Sequence, residues 1–418
     1  MFRLLATGRA ALVVLLVLAA SPIRAEGGHS LTLREALSRA LQTNPDLAVL
    51  PFREQAQRAK EDAAALRPAP ELQVQLENVL GTGRTRGLDA AEATFALSQV
   101  FEMGDQRTRR VEVGREAGSA LQVEREIAQL EVAAEVSRRF IHVAADQKQL
   151  ELTVLATSLA RTTLEEVERR VKVARSPEAE LHRARITLAR AEVEQEHAEH
   201  ELLTSRRKLA AMWGEREADF EGVRAELFTL PAVADLEAST ARISMAPDFL
   251  RFLSTARQRD AEIRLSQAKA RSPLTVSAGI RRLEDSGDTA FVAGLSMPLF
   301  GSRQALPAIA EMRALRAEVD AQRVAAQVKA EAALYELVQE LRHSITEAEM
   351  MRDRVLPEME AALKATEYAW QRGRYSYLEW TEAQRERIAV QRALIEAAAN
   401  AHLFHTEIER LTGASLSP

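Results

Sequence analysis

The chain contains no cysteine. That excludes disulfides, thiolate metal ligands, a cysteine nucleophile and a lipid-modified N-terminal cysteine in the mature protein. Aromatic residues make up only 5% of the 418, few for a compact enzyme core. Neither sign of charge is in excess: 56 basic residues stand against 61 acidic ones, for a formal net charge of −5. A dedicated nucleic-acid binder would carry a basic domain or stripe, so no nucleic-acid partner is expected. Long apolar runs are absent apart from Ala10 to Ala20, which follows Arg3 and Arg9 and precedes Pro22 and Ala25. That is the layout of a secretory signal peptide, residues 1–25, cleaved after Ala25. The competing reading is a membrane anchor, for which the run is too short to span comfortably. The protein is therefore expected to be exported, with a fold that relies on packing alone.

Recognisable catalytic chemistry is lacking as well. There is no Gly-x-Ser-x-Gly and no His-Glu-x-x-His. "GTGRTRG" at 81–87 lacks the Gly-Lys-Ser/Thr ending of a phosphate loop and joins two strand patterns, so it reads as a hairpin loop. His197 and His200, like His402 and His405, are three apart and share a helix face. Neither pair has a third ligand in pattern, and both read as ordinary helix histidines. No enzyme, cofactor or metal site is expected.

What the chain does contain, it contains twice. Ala, Glu, Arg, Leu and Gln dominate long stretches, as in extended helix and coiled coil. "TNPDLAVLPFREQAQRAKEDAAALRPAPELQVQLENV" from Thr43 parallels "SMAPDFLRFLSTARQRDAEIRLSQAKARSPLTVSAGIRRL" from Ser244. Each copy predicts a helix opened by a proline at its first position, Pro45 or Pro247, and running to Pro68 or Pro273. A period of two follows. Leu72, Val74 and Leu76 alternate with Glu71, Gln73, Gln75 and Glu77; Phe95 and Leu97 alternate with Thr94, Ala96 and Ser98. Val276, Ala278 and Ile280, then Phe291, Ala293 and Leu295, do the same in the second copy. The pattern predicts one β-hairpin per copy, with strands near 70–80 and 92–101, then 273–284 and 289–299. Asp105 and Ser302 are the expected N-caps of the helices that follow.

Helices are expected over 45–67, 104–172 and 177–213 in the first copy (26–213), and over 247–271, 303–372 and 376–412 in the second (246–418). Pro357 should kink or interrupt the last long helix. Residues 214–245 lack a long period and read as a linker, a small mixed patch outside the helices. Within the return helices, Ala184, Leu188, Ala191, Gln195, Ala198, Leu202, Ser205, Leu209 and Met212 follow alternating three- and four-residue steps. Residues from Ala383 to Leu411 repeat these steps 199 positions later, giving a close-packed coiled-coil seam.

Four strands cannot close a barrel, and each is long enough to cross a membrane when tilted. An exported chain of this kind could satisfy its edges by pooling strands from several copies; a small soluble sheet is the plainer alternative. The duplicated order of helices and hairpins resembles that of the TolC-like outer-membrane efflux family. So do the joints "LSQVFEMGD" and "LSMPLFGS" and the turn "RGRYSYLEWTEAQ". The likeness covers nearly the whole mature chain and is greatest to the CzcC-type heavy-metal efflux branch.

The resemblance implies a mainly α fold with membrane β. Three chains would form a homotrimer, with a 12-stranded barrel in outer-membrane lipid above a long periplasmic α-helical barrel. It also implies two partners, a periplasmic adaptor and an inner-membrane pump of the resistance-nodulation-division class. Residues 173–177 and 371–376 would be the periplasmic tips, and Arg175, Ser176, Gly373, Arg374 and Tyr375 the adaptor contacts. Glu379 and Glu382 match the family's acidic entrance positions, with Glu180 and Arg183 as their first-copy counterparts. There Ala174 stands where the second copy has Gly373. The other class of function open to such a chain is a soluble periplasmic scaffold or adaptor.

Overall fold

The computed structural model describes residues 30–414, so the signal-peptide reading lies outside the described residues. The chain begins with a two-residue strand, β1 (Ser30–Leu31), and a short helix, α1 (Leu33–Thr43). Thr32 caps α1: Glu35 donates its backbone N–H to the Thr32 hydroxyl, and the Glu35 carboxylate accepts the Thr32 N–H at 2.9 Å. Pro45 does not open the next helix. It lies in a turn whose backbone N–H groups, at Asp46 and Leu47, donate to the Asn44 side chain. A 3-10 turn (Leu47–Val49) then leads into α2 (Leu50–Ala65), whose first-turn proline is Pro51. The correction has a local cause: Asn44 satisfies the donors that a helix start would have left open.

Strand β2 (Glu71–Glu77) and strand β3 (Glu92–Phe101) make the first hairpin, and α3 (Gln106–Lys172) runs from it. At 67 residues α3 is about 100 Å long. Its first turns also finish α2. Arg107 donates to Ala65 O, and Arg110 donates to Ala64 O and Leu66 O, supplying partners for carbonyls that a helix end leaves bare. α4 (Glu178–Ala210) returns along α3, and β4 (Gly222–Val223) pairs in parallel with β1.

The second copy opens with α5 (Leu236–Ile243) and α6 (Pro247–Lys269), the latter with Pro247 at its first position. α5 packs on the second long helix as α1 packs on α3. The segment 214–245, expected as a linker, thus carries the opening helix of the second repeat. Strands β5 (Leu274–Leu283) and β6 (Thr289–Ser296) form the second hairpin. The descending helix is α7 (Gly301–Met350), continued through a π-helical turn (Met351–Val355) into α8 (Leu356–Gln371). Pro357, near the start of α8, has no N–H to donate, and the wide turn just before it absorbs the mismatch. α9 (Tyr377–Thr412) closes the chain.

Two expected caps differ. Asp105 occupies the N-cap position of α3 in a left-handed conformation, but its side chain caps nothing. The N-cap position of α7 is Phe300, also left-handed, and Ser302 already lies inside the helix.

The buried residues follow the predicted seam: Ala184, Ala198 and Leu209 on α4, and Ala383, Ala397 and Ile408 on α9. Small residues there let α3 with α4, and α7 with α9, approach closely. Midway along, two larger cores gather. Leu31, Val136, Phe140, Leu209, Trp213 and Phe220 form one, and Ile243, Phe249, Leu334, Leu341 and Ile408 the other. The first draws on α1, α3, the end of α4 and the segment after it, the second on α5, α6, α7 and α9.

The four long strands form one antiparallel sheet in the order β2-β3-β5-β6, so the two hairpins meet at β3 and β5. Register carries apolar residues across it in rows, Val74–Phe95–Ile280–Phe291 and Leu72–Leu97–Ala278–Ala293. Among the described residues nothing covers that face: Phe291 is 75% exposed and Leu72 72%. The opposite face is polar. There Arg281 bridges Glu92 at 2.9 Å and Glu77 at 3.3 Å and donates to the Thr94 hydroxyl. β2 and β6 each end the sheet with one edge unpaired. No helix among the described residues is long and apolar enough to cross a membrane.

The junction between the hairpins depends on Gly279. A Cβ there would lie 2.2 Å from Phe95 O and 2.6 Å from Ala96 Cα, both backbone atoms of β3. Gly279→Ala is expected to cost about 1–3 kcal/mol by overpacking. A thermal melt of the sheet should show the loss, and Gly294→Ala, which meets only the Ser277 side chain, should show less of it.

Candidate functional site

At the far end from the sheet the two helical hairpins reverse in turns that share one conformation. α3 ends with Ala174 at φ 58° and α8 with Gly373 at φ 72°. In each, the next residue's N–H reaches back five positions, Arg175 to Arg170 O and Arg374 to Ala369 O. These are Schellman ends, which require a left-handed residue. The first copy therefore holds an alanine where glycine is the unstrained choice.

Past the turns the helices begin differently. α9 starts with a full capping box. The Glu379 carboxylate accepts the Ser376 N–H at 2.7 Å and the Ser376 hydroxyl at 2.9 Å, and the Glu379 N–H donates back to Ser376. In α4 the cap position is Pro177, one residue later than expected, and no side chain caps it. Ser176 precedes the cap and is half-buried.

Arg175, Gly373, Arg374 and Tyr375 lie exposed on the two turns. Glu379 and Glu382 are exposed on α9, but their carboxylates are occupied: Glu379 by the cap and Glu382 by Arg385 at 3.2 Å. The Ser376 backbone and hydroxyl hold the Glu379 carboxyl below the usual carboxylate range. Glu180 and Arg183, on the first turns of α4, both act electrostatically on the Tyr377 phenol, which burial pushes upward.

Between the tips lies a cluster that the periodicity did not single out. Trp370 stacks on Trp380 with ring centroids 3.9 Å apart and planes 19° from parallel. The Arg170 guanidinium, from the other hairpin, sits 3.8 Å from the Trp370 ring centroid. It donates to Trp370 O at 3.2 Å and is held from its own helix by Glu166. Val167, Ala184 and Tyr377 complete the buried group. Arg170 thus joins the first hairpin to the C-terminal carbonyls of α8, where a cation is favoured. One signal was present in the sequence: two of the chain's three tryptophans flank the second turn.

Comparison with known proteins gives a consistent picture. Residues 36–215 match the family described as "Outer membrane efflux protein". The chain is 23% identical over 390 residues to the cobalt-zinc-cadmium resistance protein CzcC of Cupriavidus metallidurans, covering 93% of this chain and 91% of that one. It is 28% identical over 272 residues to the nickel and cobalt resistance protein CnrC of the same organism, covering 63% of each. Among solved structures, CusC superposes with a TM-score of 0.71 at 16% identity, covering 93% of both chains. The outer membrane protein VceC of Vibrio cholerae gives 0.70 at 18%, covering 92% of this chain and 97% of that one.

Two expected outcomes test the tip. Arg170→Ala should weaken the link between hairpins by about 1–3 kcal/mol, seen as faster amide exchange in residues 367–374, and Arg170→Lys should restore little, having no planar group to stack. The folded-state value of Glu379 is depressed, so its contribution is complete above the ordinary carboxylate value of 4.5 and fades as pH falls through the lowered one. Protection of the Tyr377–Trp380 amides, taken against the intrinsic exchange rate at each pH, should therefore fall only in acid, and Glu379→Gln should remove most of that pH dependence.

Proposed function

We propose, from its likeness to the outer-membrane efflux proteins, that this chain is the passive exit duct of a tripartite efflux system. One observation carries the reading: a sheet whose two central strands run ten residues each, apolar on one face, with both outer edges unpaired among the described residues. Unpaired strand edges are not tolerated in lipid, so the sheet needs partners. Three copies, each pairing its β6 with the next copy's β2, would give a 12-stranded barrel with the apolar rows toward lipid and the Arg281 cluster inside. The helices would continue it as a tube through the periplasm, delivered to by a periplasmic adaptor and a resistance-nodulation-division pump.

The proposed cargo is divalent heavy-metal cations, by likeness to relatives named for cobalt, zinc, cadmium and nickel resistance. The duct has no chemistry to perform. Its work is to offer an aqueous path and to close it at the tip. Arg175, Ser176, Gly373, Arg374 and Tyr375 are the proposed adaptor contacts, supported by their place on the two turns. Glu379 and Glu382, with Glu180 and Arg183 beside them, are the proposed entrance. A ring of carboxylates draws cations and repels itself. Both carboxylates are engaged, so a passing ion would compete with the helix cap at Glu379 and with the exposed Arg385 guanidinium at Glu382. A soluble scaffold is disfavoured by the uncovered apolar rows of the sheet.

The full-length protein should fractionate with the outer membrane as a detergent-requiring, heat-modifiable oligomer and conduct in planar bilayers. Recovery as a soluble monomer would overturn the duct. Glu379→Ala combined with Glu382→Ala should alter cation conductance; unchanged conductance and selectivity reject the entrance assignment while leaving the duct intact.

A further inference from the structure

Next to the sheet the helices keep the order of the strands. α2 packs on α3, α3 on α6 and α6 on α7, just as β2, β3, β5 and β6 follow one another. α2 and α7 therefore stand beneath the two unpaired edges. α2 runs toward the sheet and α7 away from it, so the two point in opposite directions.

Each of these helices is engaged on one side and bare on the other. Glu54 and Gln57 of α2 bond to α3, and Arg316 of α7 bonds to Asp260 of α6. On the far side of α2, Phe52, Ala56, Ala59 and Ala63 follow steps of four, three and four residues, and all are exposed. On the far side of α7, Ala314, Ala317, Ala321, Val324 and Val328 keep the same rhythm and are exposed as well. Phe52 is 72% exposed and Val328 63%, whereas Val319, in the core that α7 shares with α6, is buried. Such three-and-four spacing is that of a coiled-coil seam.

The charges beside the two stripes match. Arg53 and Lys60 flank the α2 stripe seven residues apart, and Glu311 and Glu318 flank the α7 stripe at the same interval. With the helices laid antiparallel, the register that sets Lys60 opposite Glu311 also sets Arg53 opposite Glu318 and Asp62 opposite Arg313. Among the described residues, Arg53, Lys60, Asp62, Glu311 and Arg313 have no ion-pair partner in their own chain.

The chain already contains this seam once. Where α6 packs on α3, Arg264 bridges Glu112 at 2.8 Å and Arg257 reaches Glu116 at 3.8 Å. In the repeat, α6 corresponds to α2 and α3 to α7. Arg257 and Arg264 lie as far from the end of α6 as Arg53 and Lys60 do from the end of α2. Glu311 follows Glu112 by 199 positions, the offset of the return helices. The Arg264–Glu112 bridge thus has a counterpart, Lys60–Glu311, whose halves stand on the two outer sides of one chain.

We propose that α2 of one copy docks antiparallel on α7 of a second copy of this chain, with Lys60 opposite Glu311 and Arg53 opposite Glu318. The number of copies rests on the duct reading; the pairing of the two faces rests on the stripes and charges. The apolar stripes supply the attraction. The ion pairs contribute little energy each at a rim, but a slip of one turn separates both, so they fix partner and register.

The test uses the full-length protein in detergent. Because the chain has no cysteine, Ala59→Cys with Ala314→Cys, oxidised by copper phenanthroline, reports contact between copies directly. Cross-linked dimers and trimers should appear on a denaturing gel. Ala59→Cys with Ala332→Cys, about five turns further along α7, should give none. Lys60→Glu and Glu311→Lys should each lower the temperature at which the oligomer dissociates, and the two together should bring it back. Both positions are exposed in the single chain, so circular dichroism should be unchanged. Absence of the Ala59–Ala314 cross-link, equal cross-linking by both cysteine pairs, or an oligomer indifferent to the charge reversals would overturn the proposal. Conductance in bilayers keeps the two readings apart. A conducting oligomer without the cross-link sinks the seam and leaves the duct standing, and a cross-linked oligomer that does not conduct does the reverse.

Discussion

Every level of this structure answers to the backbone donors and acceptors along the free edges of β2 and β6. A strand edge in water can be solvated, but an edge in hydrocarbon leaves each N–H and C=O without a partner, at several kcal/mol apiece. The sheet's apolar rows lie uncovered, and among the described residues no strand of the same chain covers either outer edge. The fold thus leaves its sheet open at both sides. The long helices run on directly from the strands, and small seam residues let them stand close.

Within the chain, symmetry is kept where packing demands it and lost where the ends are handled. The placement of the short helices α1 and α5 repeats, as do the seams and the left-handed turns at Ala174 and Gly373, while the long descending helix is unbroken only in the first copy. The caps do not repeat. α9 has its Ser376–Glu379 box and α4 has an uncapped Pro177 start. The aromatic cluster is also one-sided, with both tryptophans supplied by the second hairpin and the cation by the first. Asymmetry at the tip lets one hairpin grip the other, which two identical hairpins could not do in the same way.

The alternating strands and the three-and-four seam were legible in the sequence because both rest on periodicity, which burial reads directly. Leu72, Val74 and Leu76 fall on one face for the same reason that Ala184 and Ala198 fall on another. What escaped were decisions made by single side chains. Asn44 diverts the chain so that Pro45 turns and Pro51 starts the helix; Phe300, not Ser302, takes the cap position. Of the tip residues read from family likeness, the turn positions were placed by Gly373 and Pro177. The occupation of Glu379 by its own cap was encoded as Ser-x-x-Glu and could have been read as a capping box. The grip of Arg170 on Trp370 could not, since it joins residues 200 apart.

The π-helical turn at Met351–Val355 has a mechanical meaning for the pair of repeats. A turn with one residue too many rotates everything after it by roughly a quarter of a revolution relative to an unbroken helix. The stripe that α8 offers α9 is therefore reset below Val355, while the 67-residue α3 carries its phase from end to end. Two struts of one repeated pattern have become an unbroken rod and a jointed one, and whatever bending the pair allows is concentrated at the joint of the second.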